Sequence, residues 1–429
     1  MSIDCFSDLV CPFCGLACDD IELHSDGVSL RAAGGACSLA QRSYSRIGTS
    51  LTQQPQAWIA GIPVTLDSAV EAATQLIGSS RTPLFGGLAT DVIGMRCLLA
   101  LGDHKGAVLD HMNSEGKLRN LRTVQDAGWI TTTLAEVRNR VDLLVCFGTD
   151  VVSAFPRFFE RCIWVEEAMF DPPPEQREIV YLGTPADTRP GTSPGGRPAE
   201  VIAVAPDRLA EAAALLRGLL AGSMPDDIAT DLPLVALRAL AERLKTARYG
   251  VVVWAASELD FPHADLAVQA LTAAIGILNT HTRCAGLPLG GSDGDFSSDA
   301  VLLWQTGYPF RTSLASGTGV YDPVMNATGR LLESGEADCL LWVSSLDADR
   351  SPPPGVGCPL IVFSCAGAPV VAEAAVQITV ATPGIDQTGY MFRADKVVTL
   401  PLRAPVTRGL PAVGELSMRI LSKLGVSSC

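Results

Sequence analysis

Short, wholly apolar runs alternate with longer amphipathic ones along most of this chain, and that alternation restricts the fold more than any other feature. Residues 83–85 run into Gly86-Gly87, residues 107–109 into Asp110, and residues 143–147 into Gly148. A short apolar run that stops at a turn reads as a strand buried on both faces. Between these runs, residues 67–77 and 92–101 carry apolar positions at helical spacing, with Asp67 or Ser68 as the N-cap of the first, and residues 121–137 read as mostly helix. Helices between buried strands imply parallel sheets covered on both faces, joined by right-handed crossovers. Residues 58–66 read as a strand pair ahead of this series.

After a Pro/Gly-rich stretch at 184–198 the rhythm restarts. Helices are expected at 207–220, 234–246, 263–278, 326–334 and 414–424, and strands at 249–255, 301–304, 339–343, 360–363 and 376–380. Residues 283–298 read as a loop. At 429 residues the chain has room for two or three domains. The composition shifts place a small Cys-rich domain at 1–57, a first α/β domain at 58–199, and a second α/β domain with a C-terminal segment at 200–429.

The chain is 48% hydrophobic and only 18% charged, which excludes a mainly disordered protein. Thirty-two basic against 46 acidic residues leave a net charge of −14, which repels phosphate backbones and anionic lipid. Nucleic-acid and membrane-surface binding are therefore set aside. No window approaches the ~18 apolar residues of a membrane span. Residues 1–20 have no basic start and contain Asp4, Asp8, Asp19 and Asp20, unlike a signal peptide, so a cytoplasmic location is expected. In a reducing compartment the 13 cysteines are buried thiols or ligands rather than disulfides.

Cys11, Cys14 and Cys18 form a C-x2-C-x3-C run, with Cys37 as a fourth thiol. Thiolates at such spacing on a tight loop can face one point, and Gly15 permits the turn. A [4Fe–4S] cluster and structural zinc both accept four thiolates, and an empty site is the third reading; spacing does not choose among them. The remaining cysteines stand singly and read as small buried hydrophobes. No two of the five histidines are four residues apart on a helix, and no Walker loop, nucleophile elbow or dinucleotide fingerprint is present. His111 follows a strand end, where open α/β sheets bind ligands, although a plain loop histidine is the more economical reading. The glycine-rich stretch Gly290 to Asp295 reads as a long turn. The aromatic stretch Trp304 to Arg311 reads as a packed corner, a pocket wall or a subunit contact. No nucleophile–base pair is recognisable, so no catalytic residue is assigned.

Several stretches together resemble the B subunit of formylmethanofuran dehydrogenase from end to end: CPFCGLACDD at 11–20, Ala36-Cys37, GAVLD at 106–110, GTDVVSAFPR at 148–157, WQTGYPF at 304–310, Glu336-Ala337-Asp338, and GIDQTGYMFRAD at 384–395. The resemblance implies a molybdopterin-oxidoreductase-like (formate dehydrogenase-like) fold, a multi-domain α/β arrangement behind a small iron–sulfur domain. In the redox members, the turn after the GAV-(I/L)-D strand carries a cysteine that ligates tungsten or molybdenum. Here that turn, residues 111–118, holds His111 and Glu115 and no cysteine. The family's G-x-N-P becomes Gly148-Thr149-Asp150-Val151, and Gln387-Thr388 replaces a valine–glutamate pair. A metal centre that loses its only protein thiolate cannot keep the same set of ligands, and Glu115 and Asp150 would repel an anionic pterin. No molybdenum or tungsten pterin is therefore expected.

These departures are similar to the B subunit of the bacterial formyltransferase/hydrolase complex. That resemblance implies a non-redox structural subunit in the conversion of formyl-tetrahydromethanopterin to formate via a methanofuran-type carrier. The implied partners are an amidohydrolase-like subunit, a formyltransferase-like subunit and a further dehydrogenase-type subunit, with the chemistry on the partners. The alternative is a redox-active dehydrogenase subunit with a pterin metal and one [4Fe–4S] cluster.

Overall fold

The computed structural model describes residues 4–26, 29–49, 56–224 and 229–426. The chain forms two compact units, one from the described residues of Met1–Ser114 and Gly291–Cys429, the other from those of Glu115–Gly290.

The first unit is built on a nine-stranded sheet. Its order is Val320–Tyr321, Thr312–Ser313, Val108–Leu109, Pro83–Ala89, Cys339–Ser344, Leu360–Cys365, Val376–Val380, Ala57–Ile59 and Ile62–Pro63. The five central strands run parallel, and antiparallel pairs close both edges. Alternation along each strand divides the core. Leu341, Val343, Ile361 and Phe363 face one layer with Phe85, packed against residues of helices Leu66–Ser79, Val92–Lys105 and Val413–Lys423. Leu340, Trp342, Leu360 and Val362 face the other layer with Leu84. The first helix starts earlier than Asp67 or Ser68 would have it. Thr65 is its cap, and its side chain accepts from the Ser68 N–H at 3.2 Å. A three-stranded antiparallel sheet, Asp4–Leu9, Ile21–Ser25 and Leu30–Gly34, precedes helix Ser38–Ile47.

The second unit is a five-stranded, all-parallel sheet in the order Glu200–Ile202, Glu178–Leu182, Leu143–Phe147, Gly250–Ala255 and Cys284–Leu289. Helices Leu209–Leu220, Leu234–Thr246 and Ala264–Leu278 contribute their buried faces to its core. The Pro/Gly stretch at 184–198 joins two neighbouring strands of this sheet, so position 199/200 falls inside the unit.

Three local expectations are corrected. Residues 301–304 belong to helix Asp295–Thr306, not to a strand: the apolar run Val301-Leu302 is one buried face of a helix, a run too short for periodicity to distinguish. Residues 283–298 are not one loop, because they contain strand Cys284–Leu289. That strand lacks β-branched residues; its partner decides, since the Trp254 ring fills the space above Gly286, 2.7 Å from where a Cβ would stand. Residues 121–137 hold parts of two helices, Ser114–Ala127 and Leu134–Arg140, interrupted at Gly128 with φ +67.

Candidate functional site

Two local structures carry the four predicted thiols. Cys11, Cys14 and Cys18 lie on the loop between the first two strands. That loop closes on itself: the Cys11 N–H donates to the Cys18 carbonyl at 2.8 Å and the Ala17 N–H to the Cys14 carbonyl at 3.2 Å, with Ala17 at φ +47. Cys37 comes from the other side as the N-cap of helix Ser38–Ile47. Cys11, Cys14 and Cys18 are buried and Cys37 is half-buried. Burial pushes the Cys11 thiol well above its ordinary range, and Cys14, Cys18 and Cys37 push it the same way. The Cys14 thiol is pushed up to about 12, by burial first and against a hydrogen bond from the Leu16 backbone, with Cys18 and Cys37 adding to the rise. The thiols thus stand in one another's field. Among the described residues, no group of three or more His, Cys, Asp or Glu side chains is arranged to hold a metal ion, so the four are neighbours without being drawn in around a common point.

The loop is seated on the rest of the first unit by backbone contacts. The Ala394 N–H donates to the Gly15 carbonyl at 2.6 Å. Gly291, at φ +97, approaches so closely that a Cβ there would lie 2.8 Å from Gly15 Cα. Phe13 meets the Tyr44 ring edge-to-face, with centroids 4.8 Å apart. Tyr44 is fully buried, and its hydroxyl has no hydrogen-bond partner among the described residues. A buried hydroxyl left unpaired costs about 1–3 kcal/mol. The hydroxyl lies near Cys11, Cys18 and Cys37; its own burial first, and then their fields, push its pKa up. Thiolate sulfur is the acceptor chemistry this hydroxyl lacks, but the four thiols do not surround a common point as the ligands of a metal would. An iron–sulfur cluster there would supply electron transfer, and zinc a cross-link.

The strand end at Asp110 is filled by the chain's own side chains. His111 is 2% exposed. Its Nδ1 accepts from the Asn113 N–H at 3.0 Å, so Nε2 carries the proton and faces the Asp293 carbonyl at 3.3 Å. Its ring packs against Phe310 at 5.0 Å. The Asn113 amide donates to Ser292 O and Asp293 Oδ2, both at 3.2 Å. Asp293 is buried at φ +54 and is gripped by Arg350, Nη2 to Oδ2 at 2.8 Å and Nε to Oδ1 at 3.3 Å. Burial pushes its carboxyl up, and Arg350 pulls it back. Asp110 is tied through Oδ2 to Thr328 N–H and Oγ1, each at 2.8 Å, and its Oδ1 faces Arg311 Nε at 3.5 Å. Both ring nitrogens of His111 have partners within the unit, which makes it a positioned structural histidine.

In the second unit, Asp150 also has local work. Its carboxylate accepts from Ser153 N–H at 2.9 Å, Ser153 Oγ at 2.8 Å and Asp187 N–H at 3.2 Å, which orders the turn after Leu143–Phe147. Burial pushes the nearby Glu258 carboxyl up, against a hydrogen bond from Thr149 and with Asp150 adding to the rise. Glu115 stands in the first turn of helix Ser114–Ala127, where a negative charge favours the helix dipole.

Sequence reasoning missed Tyr44 and the Asp293–Arg350 pair. Tyr44 had a legible signal, since it stands two helical turns after Cys37 and so on the same face. Arg350 had none, because it is remote from Asp293 in sequence and paired only by the fold. Trp304 is 61% exposed and Tyr308 42%, at the end of helix Asp295–Thr306; Trp304 touches Phe392 with ring centroids 5.5 Å apart.

No family model matches this sequence. It is 25% identical over 406 residues to the B subunit of the tungsten-containing formylmethanofuran dehydrogenase 2 of Methanocaldococcus jannaschii, covering 91% of each chain. The chain is a relative of the formylmethanofuran dehydrogenase B subunits. It is 27% identical over 379 residues to the B subunit of the formyltransferase/hydrolase complex of Methylorubrum extorquens, covering 86% of this chain and 96% of that one. The crystal structure of that complex with methylofuran contains a chain that superposes with a TM-score of 0.74 at 25% identity, over 86% of this chain and 98% of its own length. Acetylene hydratase from Pelobacter acetylenicus shares the fold, with a TM-score of 0.62 at 11% identity, over 98% of this chain and 70% of that one. The fold is the molybdopterin-oxidoreductase-like α/β fold expected from the sequence. Among the described residues, no helix is long and apolar enough to cross a membrane.

Proposed function

We propose that this chain is the non-redox, structural B-type subunit of a cytoplasmic formyltransferase/hydrolase complex. That complex takes the formyl group of formyl-tetrahydromethanopterin through a methanofuran-type carrier to formate. One observation carries the reading. The strand end where the redox relatives place a metal-binding cysteine has none from Asp110 to Arg119, and His111, Asn113, Asp293 and Arg350 fill it with mutual hydrogen bonds. The likeness to the formyltransferase/hydrolase subunit over most of both chains supports the same reading. Catalysis then belongs to an amidohydrolase-like and a formyltransferase-like partner, and a further dehydrogenase-type subunit completes the assembly. Cys11, Cys14, Cys18 and Cys37 are the candidate ligands of a [4Fe–4S] cluster, with zinc or an empty relic site as the alternatives, and no molybdenum or tungsten pterin is bound.

The test is purification of the tagged chain from its native host. Three large subunits should co-purify, the preparation should release formate from the formylated carrier, and elemental analysis should find neither tungsten nor molybdenum. His111→Ala should leave turnover of the assembled complex within about twofold of wild type. Stoichiometric tungsten or molybdenum, or formate-dependent dye reduction, would establish the dehydrogenase alternative instead.

A further inference from the structure

Strands Gly389–Phe392 and Thr399–Leu402 of the first unit pair with each other and, among the described residues, with no other strand. The inner face of this ribbon is covered: Met391 and Leu402 are buried and pack with Leu346. Alternation puts Tyr390, Phe392 and Pro401 on the outer face, with Tyr390 opposite Pro401 in the register. That face is open. Tyr390 is 49% exposed, and Phe392 meets the largely exposed Trp304 ring at 5.5 Å between centroids. Helix Val92–Lys105 borders the same face: one oxygen, Asp91 Oδ2, accepts from the Ile93 N–H at 3.2 Å and the Tyr390 N–H at 3.4 Å, and Ile93 is exposed. Arg96 is exposed one turn beyond Ile93 on that helix, and Arg403 is exposed two residues after Pro401. Neither guanidinium has a hydrogen-bond or ion-pair partner among the described residues. The nearby carboxylates are already engaged, Asp91 by three backbone N–H groups and Asp395 by Arg393.

We propose that this outer face seats a different subunit of the hetero-oligomeric complex, one that presents apolar side chains to Tyr390 and Trp304 and carboxylates to Arg96 and Arg403. Exposed aromatic rings are the usual anchors of an interface. Two unpartnered guanidiniums, on a chain of net charge −14, fix the sign of the charge that covers them. A second copy does not suit the face. A two-fold contact apposes the same patch on both chains, so it would enclose the guanidiniums of both copies without a carboxylate between them. An anionic lipid surface is opposed by the charge of the rest of the chain. The proposal rests on the reading of this chain as a complex subunit, which its likeness to the formyltransferase/hydrolase subunit over most of both chains supports.

The test purifies the tagged full chain from its native host as wild type, Tyr390→Ala, the double variant Arg96→Glu/Arg403→Glu, and Val235→Ala, an exposed apolar position of the second unit. Recovery of the other subunits should fall about 10-fold or more with the first two variants and stay at the wild-type level with Val235→Ala. All these positions are exposed, so melting temperatures of the isolated chains should agree within about 3 °C. Arg96→Lys and Arg403→Lys keep the charge. Treated with a carbodiimide in the assembled complex, they should form an amide cross-link to an aspartate or glutamate of one partner subunit, which reads the face even where another variant melts early. A cross-link to a second copy of this chain would overturn the proposal. So would binding of wild type, but not Tyr390→Ala, to vesicles of equimolar phosphatidylcholine and phosphatidylglycerol. No cross-link to a partner subunit, or undiminished recovery with both face variants, would overturn the proposal alone. Wild type that recovers no other subunit would overturn the subunit reading and the proposal together.

Discussion

Arg350→Ala isolates the interaction that fills the strand end. The substitution removes two of the three side-chain hydrogen bonds made to the Asp293 carboxylate and leaves the Asn113 amide as its remaining side-chain donor. Breaking a buried pair costs roughly 3–5 kcal/mol. Arg350 itself is 46% exposed while Asp293 is 5% exposed, so water can partly replace the guanidinium, and the expected loss is about 2 kcal/mol. The loss should depend on pH in a fixed direction. Burial raises the Asp293 carboxyl above its ordinary value, with Arg350 opposing the rise. The folded chain therefore holds this proton to higher pH than the unfolded chain, and the stability linked to it is present below the unfolded value and lost as pH rises through the folded one. Without Arg350 the folded value climbs further, so Arg350→Ala should cost little near about pH 4 and its full amount near about pH 7. Urea midpoints at both pH values, for wild type, Arg350→Ala, Asp293→Asn and the double variant, measure this directly. Coupling of about 1–2 kcal/mol at neutral pH is expected. Additive single effects, or a loss that grows on acidification, would refute the buried-pair argument.

Gly291→Ala combines a φ of +97 with a Cβ placed 2.8 Å from Gly15 Cα, so it should destabilise the chain by about 2–4 kcal/mol and disturb metal loading at the cysteine loop, read by denaturation and by metal content. Thr65→Ala removes the cap bond to Ser68 and should cost about 1 kcal/mol in the same denaturation assay, with no change in metal content. Trp304→Ala, at an exposed position, should leave the isolated chain's stability within about 1 kcal/mol of wild type but reduce recovery of partner subunits in a tagged purification about 10-fold or more; unchanged recovery would remove this turn from the assembly surface.

Residues 143–147, 249–255 and 360–363 were legible as buried strands because each is a short apolar run bounded by turn residues, and a parallel sheet needs strands that are apolar on both faces. The C-x2-C-x3-C spacing likewise marked a tight loop, closed by the Cys11–Cys18 backbone hydrogen bond, since that geometry is local. The strand Cys284–Leu289 was not legible: with Gly286 and Pro288 inside it, its pairing depends on the Trp254 ring across the register, a contact made at long sequence separation. Residues 301–304 were ambiguous for the opposite reason, because a short apolar run is the same string of letters in a buried strand and on one face of a helix. Sequence alone also determined that the turn after Asp110 lacks a thiolate, which is a matter of composition. Only the tertiary structure decided what stands there instead. Asp293 and Arg350 are 57 positions apart, and nothing local to either announces the other. The same holds for Tyr44, whose helical position is legible but whose contact with Phe13 of the cysteine loop is made only by the fold.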